Sequence, residues 1–402
     1  MTSAPTGAPP TSLRRLDEAR ARFGDLSERY LAGQWRGDPL ADAFVADLAT
    51  LGHGRGMRML RTACREGLEA VPDAPESLVA LIEAVSEVPD WVDLAAIEAD
   101  SVHLGRYTRQ AGIVLGAASL VSGYANAAAS RPLDLTGRYV ESAGVRTIEV
   151  ASWLVAANAV GGLDRFGEGF ELTVRVRVIH ALVRGSLLDD DRWDTPAWGV
   201  PINQAYLAYT LTEFCLIPLR GMARIGAPYL PHEVDAYYRR WRYLGHLLGI
   251  EPDLLPTDRA DQQALEDIYL LTRPPVEPFC RSLVASINSE FLVPEIEQLL
   301  PRPLHRVAPP VVHALERVFL GAEICDELAV PQSPLTGAVT VLGRALGAVN
   351  SGLDRIPGSR RVRTDLGERY RVRQDARLRA RYGVEHDLVD AAPTGRPHPA
   401  RG

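Results

Sequence analysis

The residues best placed to do chemistry are Arg177, His180 and Arg184, in the run LTVRVRVIHALVRG. Their spacing of three and then four puts all three along one side of a helix. Val178, Ile179, Leu182 and Val183 fill the rest of the turns, and a helix that is apolar nearly all round belongs in an interior. Arginines carried inside need anionic partners, because an unpaired buried charge costs several kcal/mol. A neutral imidazole flanked by two guanidinium groups could therefore ligate an iron while the arginines meet carboxylates. A haem would supply both. The other reading of the same residues is a core histidine, with Asp189, Asp190, Asp191 or Glu149 pairing the arginines.

The elements around this helix are helical too. Helical periodicity is expected over about 12–33, 39–50, 55–71, 75–88, 94–109, 110–129, 134–160, 168–188, 204–226, 231–248, 257–272, 277–291, 309–329 and 335–349. Gly161-Gly162 stops the helix before His180, and Asn203 is placed to cap the one after it. Pro231 suits a first helical turn. No long alternating stretch argues for a sheet, so the fold class is all-α, as one domain. Residues 1–11 are rich in Pro, Ala and Thr and read as disordered. The helical domain is expected over 12–352, with an Arg-rich helix and flexible tail over 353–402.

Composition removes several classes of function. All 44 basic residues are arginine, so no lysine is present for a Schiff base, a P-loop or a kinase strand. A net charge of -7 gives no basic field for nucleic acid. The four cysteines are scattered with no CxxC, which argues against thiolate metal sites and a disulfide framework. There is no HExxH and no GxSxG. The N-terminal stretch has no apolar core of a signal peptide, so a cytoplasmic location is expected. The most apolar run, Ala111–Ala129, carries three glycines with Ser, Tyr and Asn, and reads as a buried core helix rather than a transmembrane span. VVHALER at 311–317 echoes VIHALVR, but His313 lies close behind Pro309-Pro310 at a helix start.

Taken together, the His180 helix and the segment WDTPAWGVPINQAYLAYTLTEF that follows resemble the rubber oxygenase (latex-clearing protein) family, which includes fungal endoplasmic-reticulum oxygenases. The matching positions are Val176, Arg177, His180, Ala181, Val183 and Arg184, then Trp198, Gly199 and Pro201–Gln204. PDWVDLAAIEAD at 89–100 looks like the opening motif of that family and GVRTIEVASWL at 144–154 like its arginine helix, so the likeness spans roughly 80–330.

The resemblance implies a globin-like helical domain that binds haem b, with O2 as co-substrate and a small lipophilic substrate. It implies that His180 is the axial iron ligand, that Arg146 lies beside the haem, and that Thr210 or Thr212 lies near the pocket, Thr212 being the choice carried forward. Arg177 and Arg184 are expected to meet the propionates. Glu149-Val150 stands where the rubber oxygenases have Lys-Thr, and Glu149 is a candidate base. The implied activity is oxidative cleavage of a C=C bond in an intracellular isoprenoid. A haem sensor or carrier without turnover, and a metal-free helical interaction protein, are the other classes consistent with these residues.

Overall fold

The computed structural model describes residues 8–101 and 104–382, apart from the side chains of residues 100, 101, 104, 138–143 and 146. Among the described residues the elements are helices, with no strand. The first core cluster gathers around the His180 helix (Glu168–Leu188) and includes Trp153, Phe170, Val178, Leu207 and Trp241. The second joins the small-residue segment around Val114–Tyr124 to the helices Pro278–Ile287 and Ala308–Leu320.

The His180 helix forms over the span its pattern predicts. Glu168 and Glu171 sit in its first turn, where negative charge suits the helix dipole. Its valines are mediocre helix formers, but Phe170, Leu172, Val174, Val178 and Leu187 are all buried, and that burial outweighs propensity. The Asn203 cap is present: its side chain accepts from Tyr206 N at 3.0 Å and starts the helix Gln204–Phe214.

Several expected helices are divided, each for a local reason. The stretch 204–226 breaks at Cys215 into Gln204–Phe214 and Leu216–Arg224. Pro218 has no N–H to offer the Phe214 carbonyl, and its ring would crowd that carbonyl in a continuous helix. The Leu216 N–H is taken up by Gln262 Oε1 at 3.1 Å. The small-residue run is Thr108–Val114, a π-helical Leu115–Leu120 and Val121–Gly123, and the chain then turns by 104° into Ala127–Leu135. The arginine helix accordingly starts at Arg138, after Gly137, and runs to Ala157. Gly116, Ala117, Ala118 and Ser119 are buried, as a core segment should be. Among the described residues no single helix is long and apolar enough to cross a membrane.

The ends of the chain are held to this body. Of the N-terminal stretch expected to be disordered, residues 1–7 lie outside the described ones, while Thr11 and Ser12 donate to the carbonyls of Pro196 and Ala197 at 3.1 and 3.2 Å. The first helix starts at Leu16 rather than Ser12, and Gly24 separates Leu16–Phe23 from Asp25–Gly33. The Arg-rich helix forms over Ser359–Tyr382, but it is not a freely solvated one. Arg371 donates to Val155 O at 3.0 Å, Arg363 to the Tyr107 hydroxyl at 3.0 Å, and Asp375 accepts from Ser152 at 3.1 Å. These contacts, with ion pairs from Arg377 and Arg381 to Glu295, strap this helix across the arginine helix and the segment before it. Residues 383–402 lie outside the described ones.

Candidate functional site

A cavity of about 340 Å³ opens against the His180 helix. Val176, Ile179, His180 and Val183 of that helix face it, and Trp153, Phe214 and Trp241 close another side. These three rings hold one another: Phe214 stacks on Trp241 with centroids 5.4 Å apart, and Trp153 meets both edge-on. Trp153 is oriented by a 3.0 Å hydrogen bond from its Nε1 to Thr173 Oγ1. The wall is therefore aromatic and interlocked, the usual build of a small-molecule or cofactor pocket, whose volumes run from about 300 to 1,000 Å³.

The arginines of the His180 helix do not line this cavity. Arg177 donates to Asp38 from Nε (2.6 Å) and Nη2 (2.8 Å), and Arg184 lies 3.4 Å from Asp42. Asp38 and Asp42 thus stand where haem propionates were expected, and where the alternative reading had Asp189, Asp190, Asp191 or Glu149. The physical reason is helical phase. Residues 177 and 184 are seven apart and nearly eclipsed, while residues 176, 179 and 183 mark a face turned well away from them, with His180 at its near edge. Burial lowers the pKa of Arg184, and the nearby Asp42 partly offsets it. Gly249 makes the Arg177 pair possible. It has φ +81°, and a Cβ there would come 2.5 Å from Arg177 Nε and 2.6 Å from Asp38 Oδ2.

Two further expected residues lie off this cavity. Thr210 lines the cavity and Thr212 does not; the two are 200° apart on the helix, and Thr212 points into packed interior. Glu149 is buried but off the cavity wall, one residue round from Val150, which is on it. Arg146 stands four and seven residues before Val150 and Trp153, so its Cα belongs to the cavity-facing stripe; its side chain lies outside those described. His313 is on the helix Ala308–Leu320 and does not line the cavity.

The Pro-Ile-Asn-Gln segment is structural and also reaches the site. Gln204, fully buried, donates to Gly37 O and Gly249 O at 2.8 and 2.9 Å and accepts from Glu251 N at 2.9 Å. Ile202 lines the cavity with φ +50°, an uncommon setting for a β-branched residue and a sign of stored strain. Trp193 donates to Gly199 O at 2.9 Å and meets Trp198 edge-on, which fixes the loop before it.

The site also holds a residue that sequence reading passed over. Glu213 lines the cavity and is 8 % exposed. Burial alone drives its pKa well above the ordinary glutamate value. The signal for it was a single carboxylate inside the apolar run YLAYTLTEFCLIPL.

Among the described residues no three His, Cys, Asp or Glu side chains gather into a metal cage. An iron here would depend on a group that brings ligands of its own, with His180 as the donor the protein could offer. The donor set and apolar walls fit a haem in that respect.

The geometry is matched by kinship. The family model described as "ER-bound oxygenase mpaB/B'/Rubber oxygenase, catalytic domain" matches residues 105–350. The chain belongs to that family. A curated relative, the rubber oxygenase of Streptomyces sp. (strain K30), is 25% identical over 347 residues, covering 83% of this chain and 81% of its own. The solved structure of latex clearing protein LCP in the closed state superposes with a TM-score of 0.57 at 19% identity, covering 85% of this chain and 90% of that one. The latter likeness concerns the all-helical fold. Membership makes the chain an oxygenase-type catalytic domain.

Proposed function

We propose that this protein is a haem b-dependent oxygenase that uses O2 to cleave or oxidise a C=C bond of an isoprenoid or other lipophilic substrate. The observation that carries the reading is an imidazole, His180, set in the wall of a largely apolar and aromatic cavity. Bound haem would supply an iron able to bind and activate O2.

The chain's own residues do the rest. His180 would hold the iron, and its helix is anchored by Arg177 to Asp38, so the imidazole is set on a rigid element. Trp153, Phe214 and Trp241 exclude water and offer faces on which an alkene can lie. Thr210 is not a free hydroxyl for the reaction: its Oγ1 already donates to Tyr206 O at 2.8 Å. The propionates need cationic or amide partners other than Arg177 and Arg184, and Arg146 is the residue in register to provide one.

The test is a visible spectrum and a pyridine haemochrome assay on protein expressed with haem precursor. Wild type should carry about one haem per chain. His180→Ala should lose or shift the Soret band while circular dichroism keeps the helical fold. A colourless, folded wild type sinks the reading.

A further inference from the structure

Glu213 is the carboxyl in the cavity wall that the proposed chemistry leaves unused. It is 8 % exposed, and among the described residues it has neither a hydrogen bond nor an ion pair. Its neighbours are otherwise engaged. Tyr209 shares a 3.0 Å hydrogen bond with Ser122, while Tyr269 and Ser130 both donate to Gly123 O at 3.1 Å. Tyr206, Tyr209 and Tyr269 are each kept neutral by burial, so none of these three brings charge to the carboxyl. The carboxyl rests against Gly123, where a Cβ would come 2.2 Å from Glu213 Oε1. A bare glycine face thus makes the room this side chain occupies.

A buried polar group without a partner is costly, typically about 1–3 kcal/mol, and a purely hydrocarbon ligand would leave it so. A ligand bearing one oxygen at the right end would not. A neutral carboxylic acid can donate to a hydroxyl or carbonyl oxygen and accept from a hydroxyl. Building on the lipophilic-substrate reading above, we propose that Glu213 is the recognition point for a single hydroxyl or carbonyl oxygen at one end of an otherwise hydrocarbon ligand. The cavity then selects an oxygenated isoprenoid over an all-hydrocarbon one. Burial raises its pKa and so favours the protonated acid, which suits both oxygen types.

The experiment is isothermal titration calorimetry of the full chain, purified after haem-replete expression, with farnesol, farnesal and the hydrocarbon farnesene. Wild type should bind the alcohol and the aldehyde about tenfold more tightly than the hydrocarbon, the worth of one well-made buried hydrogen bond. Glu213→Leu should abolish that preference without weakening farnesene. Glu213→Gln, which keeps a donor and an acceptor, should retain most of it. Gly123→Ala, which crowds the carboxyl without replacing it, should reduce it. Equal affinity of wild type for all three ligands overturns the inference, as does a preference that survives Glu213→Leu; should that variant fail to fold, a preference unchanged in Gly123→Ala overturns it. Haem loading is read separately from the spectrum. A haem-loaded protein with no alcohol preference refutes Glu213's role alone, whereas a colourless protein that binds none of the three refutes the oxygenase reading as well.

Discussion

Arg177 and Asp38 are joined by two hydrogen bonds, 2.6 and 2.8 Å long, across 139 residues of chain. Both side chains are almost wholly out of water, at 8% and 3% exposure. The pair fastens the His180 helix to the start of the helix Pro39–Leu51, whose first turn Asp38 also caps. Asp38→Asn strands a buried guanidinium and should cost about 3–5 kcal/mol in urea denaturation, while the double variant Asp38→Leu/Arg177→Met should recover a large part of it. The folded fraction should bind haem at the same stoichiometry as wild type, because neither residue faces the cavity. A haem deficit in folded Arg177→Met would return that arginine to the cofactor site.

Gly249 carries the same pair from the other side. Gly249→Ala forces a Cβ into the Arg177–Asp38 contact and into a left-handed backbone, so a loss of at least about 2 kcal/mol is expected. Thermal unfolding followed by circular dichroism measures it, and an unchanged midpoint would contradict the contact.

The two threonines of the helix after Pro-Ile-Asn-Gln should separate cleanly. Thr212 Oγ1 is buried with no hydrogen-bond partner, so the isosteric Thr212→Val should leave stability equal or higher and ligand binding unchanged. Thr210→Val alters the cavity wall and should change the affinity for a seated ligand. The opposite pattern would put Thr212 at the site.

Glu213 should weaken the fold as pH rises. A carboxyl whose pKa is raised on folding ionises in the unfolded chain first, near 4.5, while the folded chain holds it neutral. Stability from this group is therefore lost as pH climbs above 4.5 and is restored below it. Glu213→Gln should unfold at a higher temperature than wild type at pH 7 to 8, and the gap should close as pH falls toward 4. A constant gap across that range would mean that the carboxyl is not held neutral.

What could be read from the residues alone follows from how local each cause is. The His180 helix was legible end to end because its punctuation, Gly161-Gly162 before and the aspartate run after, lies within a few residues of it. The Asn203 cap was legible for the same reason. The break at Cys215 was half legible: Pro218 announces it, but the acceptor that makes it tolerable, Gln262, is a tertiary partner. The arginines announced a need for anions, not which anions. Asp38 and Asp42 supply them from far along the chain, and helical phase then separates the arginines from the cavity their neighbours line. Thr210 and Thr212 differ only by rotation about an axis whose phase the composition does not fix. Glu213 was visible as one acid in an apolar run, and its meaning appears only when the cavity is seen.

The long reach of these contacts bears on how the chain is made. Asp38 and Asp42 leave the ribosome well before Arg177 and Arg184, and Thr11 and Ser12 before the Pro196 and Ala197 carbonyls they hold. The opening helices can pack on one another early, but these particular partners come only with the later segments. The strap Ser359–Tyr382 arrives later still to cover the arginine helix.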